Sequence, residues 1–486
     1  MAMGRLSLAS LRAAPVPAVL ALAATVMFAS PAAVTAGAEV AAGAAKARLI
    51  VLSDLGEDPD DQQSFVRLLV YSNEIDIQGM LATTSVWSRD RVRPEIIRGT
   101  VAAYGKVRDN LLLHATGFPT AETLLQTIKA CRPELGMAAV GDGKSSDGSR
   151  LIVSVVDRSD PRPVWIGGWG GVNCLAQALW DVRRDRSPAR IAAFVAKLRV
   201  YAISDQDDAG YWLRRTFPEL LYIVSPTTVE DPDYARATWI GISSRHVLSE
   251  HIELVENPWL TQHIRENHGR LGERYPLVKY LMEGDTPSFL NLISNGLAGQ
   301  VSPAFGGWGG RYELRTPYGE TRPVWTNSPD VVKLATGQDF PSDQATIWRW
   351  REAYQNDFAA RMDWTVQPFA HANHNPSAVV NGSTGKDVLE LRVKPGGSVT
   401  LDATGSRDPD NDLIAYHWFY YPEAGQRPQP FAPRPALVID GAQSQVAHIA
   451  VPMVTTPEQF HVILELKDSG TPPLYSYRRV ILTAVP

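Results

Sequence analysis

Apolar residues 49–52 give way abruptly to Ser53-Asp-Leu-Gly-Glu-Asp-Pro-Asp-Asp61, and the chain then continues as Gln62-Gln-Ser-Phe-Val-Arg-Leu-Leu69. A short apolar run, an acidic loop and a segment with Phe65, Leu68 and Leu69 at helical spacing predict strand, loop and helix. The same alternation recurs downstream. Strands are predicted at 75–83, 163–166, 198–203 and 220–224, with helical patterns at 95–104 and through Leu175, Ala178 and Leu179. Strands alternating with helices imply a mainly parallel open α/β sheet covered on both faces, with ligands at the carboxyl ends of its strands. Residues 226–370 are rich in Trp, Pro and Gly and read as long decorations over that crevice, with a closing helix at 345–362. Beyond a linker rich in Asn, Ser, Gly and His, short alternating runs at 398–401, 415–420, 445–451, 461–466 and 478–484 predict an immunoglobulin-like β-sandwich. Asp402 to Asp412 and the Asp468 turn are its acidic loops. The expected organisation is a leader at 1–36, an α/β domain at 47–370 and a sandwich at 376–486 that folds alone.

Composition narrows the setting. Arg5 and Arg12 precede an apolar core at 18–29 and the small-residue stretch Ala33-Val-Thr-Ala36, the pattern of a secretory leader. A secreted or periplasmic location is expected, with no membrane span, because the apolar core is too short to cross a bilayer. Removing Arg5 and Arg12 takes the formal charge from -5 to -7. With no basic cluster, nucleic acid is not an expected partner. The two cysteines, Cys131 and Cys174, are either buried thiols or one disulfide. A mature chain of roughly 450 residues exceeds the usual single core and calls for at least two domains.

Five carboxylates in nine residues, Asp54, Glu57, Asp58, Asp60 and Asp61, repel strongly unless protons or a cation neutralise them. An oxygen-only set suits a hard cation, calcium or magnesium. A plain helix start explains part of the same pattern: Asp58 as cap, Pro59 at the first helical position, and acids in the first turn. It leaves Asp54 and Glu57 unexplained. Further candidates sit in other loops. Trp169-Gly-Gly-Val-Asn173 is a glycine-rich strand-to-helix turn that either lets a ligand approach the backbone or is simply a tight turn. Asp205, Gln206 and Asp207 at a strand end suit sugar hydroxyls or water; equally, Asp207 and Asp208 cap the helix that carries Trp212 and Leu213. Glu283 and Asp285 either complete a metal shell or start a helix. Trp308 and Arg311, in Gly306-Gly-Trp-Gly-Gly-Arg-Tyr312, suit a sugar-lined cleft, and Trp87 joins them as a substrate-binding candidate. No zinc pattern and no Gly-x-Ser-x-Gly elbow is present.

Asp54 to Asp61, the helix after it, Asn73 and the strand ending at Thr84 resemble the amino-terminal signature of nucleoside hydrolases, Asp-x-Asp-Pro-Gly-x-Asp-Asp. Over nearly the whole mature chain there is a closer likeness. Asp58-Pro-Asp-Asp-Gln-Gln-Ser64, Trp169-Gly-Gly, Ile203-Ser-Asp-Gln-Asp-Asp208, Glu283-Gly-Asp-Thr-Pro-Ser288 and Trp308-Gly-Gly-Arg-Tyr312 resemble a secreted nucleoside hydrolase-like family. That family is described as cellulose-binding proteins with an immunoglobulin-like carboxyl-terminal domain. The resemblance implies a nucleoside hydrolase-like fold and a calcium ion held by Asp54, Asp60, Asp61 and Asp285, with the carbonyl near Asn173 assisting. It also implies attack of water on an anomeric carbon through an oxocarbenium-like transition state. Two positions depart from the pattern. Gly56 stands where the presumed base lies, passing that role to Glu57 or Asp58, and Gly284 stands where a histidine often acts on the leaving base. The leading expectation is a secreted, cation-assisted hydrolase of glycosidic bonds acting on a carbohydrate or nucleoside-like small molecule. The alternative is a non-catalytic cellulose- or polysaccharide-binding protein that retains the ion site.

Overall fold

In the computed structural model, the described residues are 45–486 except 57, 229, 245–248, 318, 335 and 426–434. The leader and Glu57 therefore lie outside the described residues. Six strands build the parallel part of the main sheet: β1 (Ala47–Ser53), β2 (Ile75–Ala82), β3 (Ile128–Ala130), β4 (Val164–Gly168), β5 (Leu198–Ser204) and β6 (Leu221–Ser225). From the segment expected only to decorate the crevice, β7 (Tyr312–Arg315) and β8 (Val324–Asn327) join as an antiparallel pair. The order is β3-β2-β1-β4-β5-β6-β8-β7. The chain runs outward from β1 in one direction and then from β4 in the other, so the switch point lies between them, where open α/β sheets form their crevice. The fold class is thus α/β and mainly parallel, with helices on the sheet faces.

The strands at the centre read as unbroken apolar runs because both faces are covered. Leu49, Ile50, Val51 and Leu52 are fully buried, split between two apolar clusters on opposite sides of the sheet. The first helix is Asp60–Val70, two residues earlier than its apolar spacing predicts. Asp60 and Asp61 therefore occupy its first turn, where the helix dipole favours negative charge. Cys131 and Cys174 are joined in a disulfide. It ties the end of β3 to the first turn of the Asn173–Asp185 helix. No helix among the described residues is long and apolar enough to cross a membrane.

A second β-rich part follows a hairpin of β9 (Asp330–Lys333) and β10 (Asp339–Ser342) and the Arg351–Asp363 helix. Its strands are β11 (Leu389–Val393), β12 (Ser398–Asp402), β13 (Ile414–Tyr420), β14 (Val438–Asp440), β15 (Val446–Ala450), β16 (Glu458–Asp468) and β17 (Tyr475–Ala484). They form two sheets, β11-β17-β16-β13 and β12-β15-β14. Alternate residues face inward: Trp418 on β13, Ile449 on β15, Val462, Leu464 and Leu466 on β16, and Val480 and Leu482 on β17 make a separate core.

The outer face of the larger sheet is not a solvent face. Tyr421, Ile463, Tyr475 and Tyr477 belong to the same apolar cluster as Trp308, Trp350 and the α/β core. Tyr477 and Arg479 N–H groups donate to the carbonyls of Asn295 and Gly296 at 3.0 and 3.1 Å. The Arg479 guanidinium, fully buried, donates to the carbonyls of Leu297, Phe305 and Gly306. Tyr421 donates to Asp330 at 2.6 Å. Cutting at this seam exposes large apolar groups worth roughly 1.5–3 kcal/mol each and leaves a buried arginine without its carbonyls. These contacts argue against a sandwich that folds alone, and melting tests this directly. The full chain should melt in one calorimetric transition, and an expressed 376–486 fragment should self-associate or unfold at markedly lower temperature. Two separate transitions in the full chain, one matching the fragment, would refute this.

Candidate functional site

The carboxyl end of β1 delivers Asp54, and the first turn of the next helix delivers Asp60 and Asp61. Asp285 arrives from a distant segment between Glu283 and the short Pro287–Leu290 helix. Carboxylate oxygens of Asp60, Asp61 and Asp285 lie within 4.8 Å of one another. At that separation, each ionised pair repels by about 3–4 kcal/mol for an effective dielectric constant of about 20. Asp54, Asp61 and Asp285 are buried, and the Asp285 Oδ2 has no hydrogen-bond partner. Burial first, and then the charges of the neighbouring aspartates, push the Asp60, Asp61 and Asp285 carboxyls well above the usual carboxylate range. Such a cluster either holds protons or holds a cation. Its donors are oxygens alone, one of them buried and unsatisfied, which fits a hard cation such as calcium or magnesium.

Neighbours hold the acids in place. Ser53 Oγ donates to Asp61, and Ser85 Oγ donates to Asp54. The Gly284 N–H donates to Asp60. A Cβ on Gly284 would lie 2.9 Å from Asp60 Oδ2 and 2.8 Å from the Trp239 ring, so no histidine fits there. A Cβ on Gly170, in the loop after β4, would meet Asp54 at 2.7–2.9 Å. The two strands flanking the switch point therefore meet directly at this cluster.

Asp58 is partly buried. Its Oδ1 reaches the Asp60 N–H only at 3.4 Å, and the helix lacks a side-chain cap, so capping accounts poorly for Asp58. Burial raises its carboxyl above the ordinary value, while Asp60 N–H and Lys279 oppose the shift. Gly56 has φ +131°, a conformation few side chains adopt, and the Arg93 stem lies over it, with Cδ 2.6 Å from where a Cβ would be. No carboxylate can occupy position 56 without displacing Arg93.

Most of the expected substrate contacts are engaged elsewhere. Trp169 is buried against Phe65 and Phe289 and donates to Ser288 at 2.8 Å, so it has no face for a sugar. Trp308 is likewise buried, edge-on to Tyr477 at the seam. Arg311 is buried between Asp330 and Glu313 and belongs to the seam network. Asp205 makes a two-pronged ion pair with Arg214, which also pairs with Glu320. Asp207 accepts the N–H groups of Asn173 and Ala209, joining two helix starts, and burial raises its carboxyl to about 7. The Asn173 side chain is used up by Thr83, Thr84 and the Glu134 carbonyl. Glu283, fully buried, receives Arg67, Tyr275 and Thr286. These contacts position the loops; Asp205 and Asp207, only partly buried, also line a cavity with Asp208 and Tyr211. Gln206 differs in part: Nε2 donates to the Trp169 carbonyl, while Oε1 is buried and unpartnered. Trp87 stays exposed at 52 %, on the loop that Ser85 anchors to Asp54.

Sequence reasoning missed several neighbours. Tyr234 is close enough to Asp60, Asp285 and Asp54 that their charges add to burial in raising its hydroxyl. It packs edge-on to Trp239, whose Nε1 is buried and unpartnered. Ser53 and Ser85 were readable as polar residues at strand ends. Tyr234, Trp239 and Arg93 were not, because no local periodicity marks them.

An acid cluster at the switch point of this sheet, completed by a late aspartate and accompanied by a β-rich carboxyl-terminal part, defines a nucleoside hydrolase-like protein. The chain belongs to the family described as cellulose-binding Sde182, nucleoside hydrolase-like domain, whose model matches residues 48–312. A second model, cellulose-binding protein Sde0182, C-terminal domain, matches residues 398–484. Among solved structures, the chain is similar to a nucleoside hydrolase-related hypothetical protein from Saccharophagus degradans that is associated with carbohydrate metabolism. The identity is 37%, the match covers 91% of this chain and 100% of that one, and the TM-score is 0.77. Weaker matches include a PKD domain from the KIAA 1837 protein (22% identity, 21% and 94% covered, TM-score 0.14) and the type III effector XopQ complexed with adenosine diphosphate ribose (9%, 66% and 95%, 0.30). No curated protein matches the chain.

Proposed function

We propose that the protein is an exported carbohydrate-binding protein that uses the nucleoside hydrolase-like crevice, with its cation, as a sugar site and does not depend on bond cleavage. The observation carrying this reading is Gly56, which puts no side chain at the presumed base position and has a φ of +131° that few other residues adopt. The family's description as cellulose-binding and the carbohydrate association of the Saccharophagus relative support it. The leader supports export, where polysaccharide is met. Asp60, Asp61 and Asp285, with Asp54, would hold the cation, which when bound offers vicinal sugar hydroxyls a hard, oxygen-seeking anchor. Trp87 supplies an exposed apolar face on the loop that Ser85 anchors to Asp54.

Hydrolysis stays as a second reading because Asp58, with its raised carboxyl, adjoins the cluster. The two separate in one assay series. Binding to cellulose and to soluble oligosaccharides should require calcium and vanish in chelator, with no release of reducing ends or free nucleobase. Release above blank that falls about 10²–10⁴-fold in Asp58→Asn would establish a general base and remove the binding-only reading. Trp87→Ala should weaken glycan affinity by roughly tenfold or more, with stability changed by less than about 0.5 kcal/mol. Unchanged affinity in that variant would take Trp87 out of the site.

A further inference from the structure

The loop before β13 carries a second acid cluster that the crevice does not use. Carboxylate oxygens of Asp408, Asp410 and Asp412 lie within 4.8 Å of one another. Turn chemistry accounts for only part of it. Asp408 Oδ1 accepts the N–H groups of Asp410 and Asp412 at 2.8 and 3.0 Å, an ordinary aspartate turn. Its Oδ2 is buried without a partner.

The independent observation comes from another strand. Asp468, at the end of β16, is only 4 % exposed. Its Oδ1 is fully engaged, accepting Asn373 Nδ2 and the N–H groups of Gly470 and Leu474 at 3.0, 3.0 and 2.9 Å. Its Oδ2 is buried and has no partner. Asp468 pairs across the sheet with Ile414, two residues past Asp412, and the next residue, Ser469, has its hydroxyl 3.4 Å from Asp412 Oδ1. Burial, reinforced by the charge of Asp408, raises the Asp468 carboxyl. Two buried, unsatisfied carboxylate oxygens thus belong to acids packed at one end of the sandwich. An unpaired buried carboxylate is costly unless it meets a proton or a cation.

We infer that Asp408, Asp410, Asp412 and Asp468 form a second hard-cation site, suited to calcium, at the joint between the sandwich and the α/β body. Calcium rather than magnesium follows from the irregular ligand set, drawn from a turn and a strand end, since magnesium demands near-ideal octahedral geometry. Calcium sites of extracellular modules in general bind at about 10⁻⁴–10⁻³ M, which sets the concentration for the test. The placement gives the ion a task. Asp410 accepts the His374 N–H at 2.8 Å and faces its Nδ1 at 3.0 Å, and Asp468 holds Asn373. The residues that lead from one part of the chain to the other are therefore hydrogen-bonded to the same carboxylates. Drawing those carboxylates together stiffens the joint.

The test is calcium binding by equilibrium dialysis on the chelator-treated full chain at millimolar calcium. An Asp60→Asn, Asp285→Asn background removes the crevice site and should keep one equivalent. Adding Asp412→Asn or Asp468→Asn should abolish it. Asp412 is only partly buried, so its variant stays interpretable should Asp468→Asn fail to fold. Hydrogen exchange gives a second readout: calcium should slow the Leu413, Gly470 and Leu474 amides by roughly tenfold in the background, and not in Asp412→Asn. A background that binds no calcium, or an equivalent that survives both added substitutions, overturns the site. Neither result bears on sugar binding in the crevice.

Discussion

In chelator, the protein should lose stability as pH rises from about 5 to 8, and saturating calcium should abolish or reverse that slope. The sign follows from Asp60, Asp61 and Asp285, whose carboxyls in the folded, ion-free protein sit well above the unfolded value of about 4. Above that value the unfolded chain has released these protons while the folded chain still holds them. The folded state then binds more protons, so stability is fully present at low pH and declines as pH climbs through the raised window. A cation favours the ionised carboxylates and adds stability that grows with its concentration, about 2.7 kcal/mol at a hundredfold excess over its dissociation constant. Asp207, raised to about 7, contributes a falling slope under both conditions and cancels in the difference between the two curves; the share of that difference lost in Asp285→Asn is the crevice's. Asp285→Asn should flatten the chelated slope, because one buried charge is gone, and should remove the crevice's share of the calcium response together with glycan affinity. Denaturant midpoints measured across pH, with and without calcium, decide the matter. Identical slopes in the two conditions would mean that no cation neutralises these acids.

How much of this was legible in the chain depended on whether the signal was local. The apolar run before Asp54 and the period-3.6 pattern after Asp61 placed β1 and the Asp60–Val70 helix within a few residues, because both elements are buried along their length. Strand β3, three residues long, has too few positions to show a period, and β7 and β8 lie among tryptophans and glycines that mask alternation. The acids that meet at the crevice were found by type and by their place after strands. The reading over-reached with Trp169, Trp308 and Arg311, since a glycine-flanked aromatic or arginine looks the same in sequence whether it lines a cleft or is packed beneath one. Burial decided those cases, and it depends on chain segments more than a hundred residues away, such as Ser288 for Trp169 and Tyr477 for Trp308. The sandwich pattern was equally clear, yet its outer face carries Tyr475, Tyr477 and Arg479 at the alternate positions that water would normally occupy. That substitution of aromatic for polar was the available sign of a shared core.

Glu283→Ala should cost about 3–5 kcal/mol of stability, the usual consequence of leaving one partner of a buried ion pair alone. Glu283 and Arg67 are both fully buried, with guanidinium-to-carboxylate distances of 2.5 and 3.1 Å. Arg67 arises from the helix that begins with Asp60, and its guanidinium stacks on Phe358 at 4.0 Å and donates to the Tyr354 carbonyl. Tyr275 and Thr286 complete the carboxylate's shell at 2.7 and 2.9 Å. Glu283 thereby locks the segment carrying Gly284 and Asp285 to the helix carrying Asp60 and Asp61, in an unusual backbone conformation with φ 50°. Two of the cluster's carboxylates thus depend on this pair for their separation from the third. Glu283→Gln, which keeps the shape and part of the hydrogen bonding, should recover some stability while still leaving Arg67 without its counter-charge. Glu283→Ala with Arg67→Met should recover more, because an apolar replacement of both partners removes the stranded charge. Calcium affinity measured on whatever fraction remains folded should fall in the single variants through displacement of Asp285, in step with stability. The competing possibility, that Glu283 binds the sugar, makes the opposite pattern: stability lost by less than about 1 kcal/mol, calcium affinity intact and glycan affinity gone. Urea unfolding paired with calcium and glycan titrations of these variants separates a positioning carboxylate from one that touches the ligand.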